Sequence, residues 1–292
     1  MPSNRLIVLA IPAVFVFLWS TGFVGAKYAM GDAEPYTFLS LRFFLAFVLL
    51  VIIGVFTRSH WPRDWRPYAH LAMVGFLIHG LYLGGVFAAV YHGLPAGISA
   101  VIVGLHPLLT AVIAAGWLKE TVSRQNVVGL VIAFVGLILV LGGDGLLGAD
   151  ATTYGVILCF GGLLGISLGS LYQKRFCGSF DLVSGTSIQY LAAAALLAIP
   201  AFAIETREIT WTAQVIGAMV WLLIALSVVA VLLLMYMIRH GEANRVASLF
   251  FLVPALTPLE TWILFDEALS ALAICGIILC MLGVYLARRT ES

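Results

Sequence analysis

PLLTAVIAAGWLKETVSRQNVVGLVIAFVGLILVL, from Pro107 to Leu141, and PALTPLETWILFDEALSALAICGIILCMLGVYLAR, from Pro254 to Arg288, decide the fold between them. Laid over one another at a shift of 147 residues, eight of the 35 positions are identical. They include Pro107/Pro254, Thr110/Thr257, Glu120/Glu267, Ser123/Ser270, Gly129/Gly276 and Gly136/Gly283. Composition alone gives on the order of three such matches, so the chain carries an internal repeat. The same shift pairs Ser20 with Ser167, Gly22 with Gly169 and Lys27 with Lys174. Two related parts are expected, 1–145 and 146–292.

Both stretches are too apolar for water. Hydrophobic residues make up 62% of the chain and charged residues 10%, against about 25% charged in soluble proteins, and the mean hydropathy is +1.09. Apolar runs predict helices at Leu6–Ala26, Tyr36–Phe56, Tyr68–Ala89, Gly97–Trp117 and Gln125–Gly142. The second part predicts Tyr154–Gln173, Leu182–Ala203, Val215–Ile238, Val246–Phe265 and Leu269–Ala287. Runs of about 20 residues are long enough to cross a hydrocarbon core of about 30 Å. A backbone in lipid must satisfy its own hydrogen bonds, and the alternation of a barrel strand is absent.

The expected fold is therefore all-α and integral to the membrane, ten transmembrane helices arranged as two inverted five-helix repeats around a central cavity. Five is odd, so the second part enters the membrane from the opposite side, and Lys27 and Lys174 fall on opposite faces. Inverted repeats recur in secondary transporters, because exchanging the conformations of two similar halves exchanges which side is open.

The loops orient this plan. Arg5, Arg58, Arg63, Arg66, Lys119, Arg124, Lys174, Arg175, Arg239, Arg245, Arg288 and Arg289 fall on one side, and only Lys27 and Arg207 on the other. The excess of Lys and Arg predicts cytoplasmic termini in a multi-pass protein of the cytoplasmic (inner) membrane. The run from Leu6 is longer than a signal-peptide core, so an uncleaved first helix is expected. A net charge of +1 speaks against a nucleic-acid partner. Cys159, Cys177, Cys275 and Cys280 read as free thiols. No metal or cofactor is expected, and the partners are a small-molecule substrate and the lipid bilayer, for a monomer or homodimer. The small-residue stripe Gly161, Gly165, Gly169 suits helix packing inside the bundle or, less commonly, dimerisation.

Candidate path-lining residues follow from helical spacing. Ser99, Val103, His106 and Thr110 share one face, matched in the repeat by Val246, Phe250, Val253 and Thr257, and the second face continues to Glu260. His79 and Tyr82 share another face, and Trp19 and Ser20 lie inside the first helix. Aromatic surface with sparse polar handles suits a pocket for an organic molecule. Trp19, Ser20, His79, Tyr82, Ser99, Val103, His106, Phe250 and Thr257 are the substrate-binding candidates. Pro107 and Pro254, near mid-helix, are the hinge candidates, since each removes a backbone hydrogen bond. Charge is costly at this depth. Arg42 and Glu260, at matching depths, are candidates for a salt bridge or a gating charge, unless Arg42 snorkels or binds carbonyls. His79 and His106 titrate near neutrality when unperturbed and could carry a proton or only hydrogen-bond.

FLWSTGFVGAKYA at Phe17–Ala29, Arg42 within FLSLRFFLAF, GISAVIVGLHPLLTAVIAAGWLKETVS at Gly97–Ser123 and ANRVASLFFLVPALTPLETWILFDEALS at Ala243–Ser270 together carry a family resemblance. The chain resembles the drug/metabolite transporter superfamily, specifically its ten-helix EamA-type exporters, and among them the bacterial amino-acid and drug exporters. His106 departs from the pattern, which more often has Asn or another small polar residue before the proline. The resemblance implies outward transport of small organic metabolites, with hydrophobic or aromatic amino acids the foremost substrates. Weakly coupled or facilitative movement is expected. Proton-coupled efflux of cationic or aromatic drugs is the alternative. An intramembrane enzyme is a remote one, since no GxSxG, HExxH or facing aspartate pair occurs.

Overall fold

The apolar runs become helices separated by polar turns. The computed structural model describes residues 3–118, 124–143, 150–178, 180–231, 233, 253–267 and 269–288. The elements are α1 (Ser3–Met30), α2 (Pro35–Phe56), α3 (Trp65–Tyr91), and α4 in two pieces (Ala96–Gly104 and His106–Leu118). They continue with α5 (Arg124–Gly143), α6 (Asp150–Phe176), α7 (Leu182–Ile204), α8 (Ala213–Ala230), α9 (Val253–Phe265) and α10 (Ala271–Arg288). Seven of these carry segments long and apolar enough to cross a bilayer; the apolar parts of α5, α9 and α10 are shorter. Large apolar side chains such as Phe44, Val48, Ile52 and Val55 of α2 are exposed, while Leu39, Phe43, Ala46 and Leu50 on its other face are buried. Such a surface is stable against lipid and not against water. The protein is an all-helical membrane protein.

Local chemistry sets the helix ends. Pro35 opens α2 at a position where the missing N–H costs nothing. Gly93, with φ of 89°, makes the turn into α4 in a conformation open to a residue without a Cβ. The predicted single helix Gly97–Trp117 is broken: Leu105 turns out of register, its N–H returning to the Ile102 carbonyl at 3.2 Å. Pro107, two residues on, has no N–H to continue the ladder and its ring crowds the preceding turn. On α9, Pro254 lies in the first described turn and Pro258 lies inside the helix. The predicted starts and ends at 234–238 and 246–252 lie outside the described residues.

Two irregularities were invisible in the sequence. Gly75–Leu83 of α3 and Leu222–Ala230 of α8 are π-helical. Gly75 to Leu222 and Leu83 to Ala230 are both 147 residues, the same shift that superposes the two proline-led stretches. The third and eighth helices share almost no identity at that shift, yet both are widened into π-helix in the same register.

Close approach of backbones sets the packing and its directions. A Cβ on Gly136 would lie 2.6 Å from the Gly276 carbonyl oxygen, and one on Gly283 would lie 2.5 Å from that of Gly129, so α5 and α10 run antiparallel. Gly85 faces Leu158 and Gly165 faces Leu77, which makes α3 and α6 antiparallel. Gly165 and Gly169 of the predicted stripe thus pack within the bundle, but Gly161 meets nothing within 4 Å, and Gly162 takes its place against Tyr82. Gly97 on Pro258 and Gly104 on Pro254 make α4 and α9 antiparallel, and Gly22 on Leu226 and Gly25 on Leu222 bring α1 against α8. By contrast, α1 and α9 run parallel, joined by Ser20 with Glu260 and by a Lys27–Glu267 ion pair. The α4 and α6 helices are also parallel, through Cys159 on the Ser99 carbonyl and Ser167 on the His106 carbonyl. All four cysteines are free thiols.

Candidate functional site

Where α1, α2, α3, α7 and α8 meet, they leave a cavity of about 80 Å³. One water needs roughly 10–15 Å³, so the interior has room for several waters but is smaller than the ~300 Å³ of an ordinary small-molecule pocket. Its walls are Trp19, Gly22 and Phe23 of α1, Arg42 and Phe43 of α2, residues Ile78 to Phe87 on one face of α3, Tyr190 of α7, and Leu226 and Val231 beside it. The π-helical stretches of α3 and α8 both contribute. An i→i+5 ladder widens the turn and turns side chains that a regular helix would separate. In α8 the extra room leaves the Leu222 carbonyl to accept from Ser227 Oγ at 3.1 Å and from Arg42 Nη2 at 3.3 Å.

The aromatic wall is layered. Phe43 and Tyr190 stack with centroids 5.4 Å apart and planes at 17°. His79 lies against both, at 5.4 Å from Phe43 and 4.7 Å from Tyr190. The Gln189 side chain adjoins the His79 ring, and the buried Nδ1 of His79 has no hydrogen-bond partner. Arg42 is 3% exposed, with its guanidinium carbon 5.3 Å from the Phe43 ring centre.

Of the residues singled out from the sequence, Trp19, His79, Tyr82 and Arg42 are brought together at this cavity. Ser20, Ser99, Val103 and Thr257 are not. Each is buried in helix packing, with the Ser99 hydroxyl on the Pro95 carbonyl and the Thr257 hydroxyl on the Ser20 carbonyl. His106 is half-buried where α4 meets α6. Phe250 lies outside the described residues. Small hydroxyl residues on a transmembrane face mark a backbone contact as readily as a pore, and here they mark contacts.

Of the two alternatives for Arg42, a salt bridge to Glu260 or a bond to backbone carbonyls, the structure shows the second. Arg42 donates to the Leu222 carbonyl and to Ser227 Oγ, while Glu260 Oε1 accepts from Ser20 Oγ at 2.6 Å. Equal depth does not bring two groups together when each side chain is held by a different neighbouring helix, Arg42 by α8 and Glu260 by α1. Sequence reading missed Phe43, Tyr190, Gln189 and Ser227. The first two were recoverable, since Phe43 and Tyr190 are aromatic residues 147 positions apart, next to Arg42 and Gln189.

A second, larger hollow of about 320 Å³ lies between α1 and the start of α8. Among the described residues its lining carries no charge, and the Thr21 hydroxyl there already accepts from the Trp221 ring N–H at 2.9 Å. Among the described residues, no group of three His, Cys, Asp or Glu side chains gathers to hold a metal.

The EamA-like transporter family matches this chain twice, over residues 5–142 and 153–289. The chain belongs to that family. It is a membrane-spanning transporter and not an enzyme. The uncharacterized transporter YvbV of Bacillus subtilis (strain 168) is 28% identical over 291 residues, spanning 98% of this chain and 92% of its own. The uncharacterized inner membrane transporter YedA of Escherichia coli (strain K12) is 28% identical over 286 residues, 95% and 91% of the two chains. A probable amino-acid metabolite efflux pump of the same strain is 25% identical over 295 residues, 96% and 93% of the two chains. A solved crystal structure has the same fold, with a TM-score of 0.69 at 22% identity over 97% of this chain and 98% of its own.

Proposed function

We propose that this EamA-family protein is a secondary transporter that exports small organic metabolites, hydrophobic or aromatic amino acids foremost, across the cytoplasmic membrane by alternating access. The observation that carries the reading is the central cavity, whose aromatic wall is built from α1–α3 of the first part and α7–α8 of the second. Trp19, His79 and Tyr82 are its substrate-facing residues in this reading. The similarity to the amino-acid metabolite efflux pump supports both the substrate class and the outward direction.

Two inverted five-helix repeats supply the mechanism. The matched π-helical stretches support them, and so do the glycine crossings: a shift of 147 residues turns the Gly129–Gly283 contact into Gly276–Gly136. Helix directions agree: α1 is parallel to α9, α9 antiparallel to α4 and α4 parallel to α6, so Lys27 and Lys174 end on opposite sides. In this reading ten passes leave both termini on one face, and the excess of Lys and Arg in the loops supports a cytoplasmic assignment for it. The break at Leu105 supports Pro107 as a hinge, and the contact of Pro254 with Gly104 supports Pro254 as its counterpart in the other half. Exchange of labelled amino acids, nucleosides and cationic drugs in proteoliposomes tests the reading. Saturable movement of aromatic amino acids is the expected result. Movement of nucleosides or cationic drugs alone removes the substrate class, and strict dependence on an imposed pH gradient favours proton-coupled efflux.

A further inference from the structure

Arg42 is a cation that its surroundings leave unbalanced. Its Nη2 makes two long bonds of 3.3 Å, both to neutral oxygens, the Leu222 carbonyl and Ser227 Oγ. Its Nε is buried and has no hydrogen-bond partner. Among the described residues no carboxylate pairs with it: Glu260 is bonded to Ser20, and Lys27 and Glu267 hold one another. Among the described residues no Asp or Glu lines the cavity. Another polar atom left without a partner at this wall, His79 Nδ1, belongs to a ring that lies against Phe43 and Tyr190, and Arg42 lies over the same Phe43 ring.

A buried charge without a counter-ion is strongly unfavourable, and ionisable groups inside a membrane protein mark the path of a ligand or ion. Arg42 does not snorkel out of this position: at 3% exposure it is sealed in the wall of the cavity. A guanidinium presents a planar fork of N–H donors that matches the two oxygens of a carboxylate. We propose that Arg42 is the anion anchor of this cavity, and that its ligands are monocarboxylates with an aromatic or branched apolar body, for which an α-ammonium group is dispensable. The proposal rests on the reading of the cavity as the substrate chamber and sharpens it.

The walls define what else is recognised. A carboxylate on Arg42 places an apolar body against Phe43, Tyr190 and Trp19. Among the described residues an ammonium group finds no carboxylate there, only ring faces that attract a cation weakly, and a cation lacking a carboxylate is repelled by Arg42. Aromatic amino acids and the corresponding deaminated acids should therefore bind alike, while the corresponding amines are refused.

The test uses three solutes with one body: L-phenylalanine, 3-phenylpropanoate and 2-phenylethylamine. Each is added to the purified full-length protein, with the thermal midpoint in detergent and exchange in proteoliposomes as independent readouts. Both carboxylates are expected to raise the midpoint and to exchange, and the amine to do neither. Arg42→Gln is expected to need about tenfold or more of either carboxylate for the same shift, a loss of one order in affinity, and Arg42→Lys to recover part of it. Equal action of the amine, an unchanged concentration dependence in Arg42→Gln, or no shift with either carboxylate would overturn the anchor. If Arg42→Gln does not fold, the contrast between the acids and the amine in the unaltered protein decides. Should the acids stabilise the protein through Arg42 while no solute crosses the membrane, the anchor stands and the transport reading falls. If the amine crosses as readily as the acids, the transport reading stands and the anchor falls.

Discussion

The two ends of the α2–α7 pair are built from positions related by the repeat, yet they are joined very differently. Where α7 ends and α2 begins, the Glu205 carboxylate accepts from the Tyr36 and Thr37 N–H groups at 2.9 and 2.7 Å and from the Thr37 hydroxyl. Glu34 reaches back to the N–H groups of Thr206, Arg207 and Glu208. Ala33 and Ile209 form an antiparallel bridge, and Thr210 N–H donates to the Asp32 carbonyl at 2.8 Å. The two loops are thus clasped. At the opposite end, where α2 ends and α7 begins, one hydrogen bond crosses among the described residues, from Ser184 Oγ to the His60 carbonyl at 2.7 Å. There Asp181, the repeat partner of Glu34, caps its own helix through Val183 and Ser184 N–H. Arg58 stands 147 residues before Glu205. An arginine cannot accept a hydrogen bond from an N–H group, so the clasp cannot form twice. One exchange of charge sign in a repeat is enough to tie one end of the bundle and leave the other held by a single bond.

The clasp breaks most decisively with Glu205→Arg. Loss of the cap to the start of α2, together with a cation at the positive end of that helix, is expected to lower stability by about 2 kcal/mol, read as a drop in the unfolding midpoint in detergent. A change smaller than that of a surface substitution elsewhere would mean the clasp carries no stability. At the other end, Asp181→Ala removes a cap made within the helix itself and should cost about 1 kcal/mol. The contrast is sharpened by Arg58→Glu in the Asp181→Ala background. If a carboxylate from the neighbouring loop is what ties an end, the double variant should regain about half of that loss, and an additive loss would refute the idea.

The smallest effect concerns acid. Burial opposes ionisation of Glu34, but the Thr206 N–H and hydroxyl and the Arg207 and Glu208 N–H groups outweigh it and hold the carboxyl below its usual range. A lowered folded-state pKa contributes stability above the unfolded value and loses it as pH falls through the folded one. Glu34→Gln should therefore be slightly less stable than the unaltered chain near pH 7, with the difference vanishing below about pH 4. A difference that persists at low pH would assign the effect to packing instead.

The helical spans were legible because length and hydropathy are local properties, and every span read from the sequence holds a described helix. The break in α4 was half-legible: Pro107 marked it, but the turn falls at Leu105. The site was less so. Trp19, His79, Tyr82 and Arg42 were found because a polar or amphipathic residue in an apolar run is conspicuous. Ser20, Ser99 and Thr257 were conspicuous for the same reason and serve packing instead. A face of a helix is visible in the sequence, but what covers that face is not.

Composition and the spacing of apolar runs by themselves determined that this chain folds into membrane helices, and the 147-residue shift determined that it does so as two related sets. Both follow from one-dimensional facts, the cost of an unsatisfied backbone in lipid and the pitch of a helix. Only the tertiary structure decided that Arg42 meets Leu222 and Ser227 rather than Glu260, that Phe43 stacks on Tyr190, and that one pair of loops is clasped. Those contacts join residues far apart in the chain, and they depend on the azimuth of each helix. Backbone contacts at glycine and the widened turns of α3 and α8 set that azimuth, and no local pattern of residues records it.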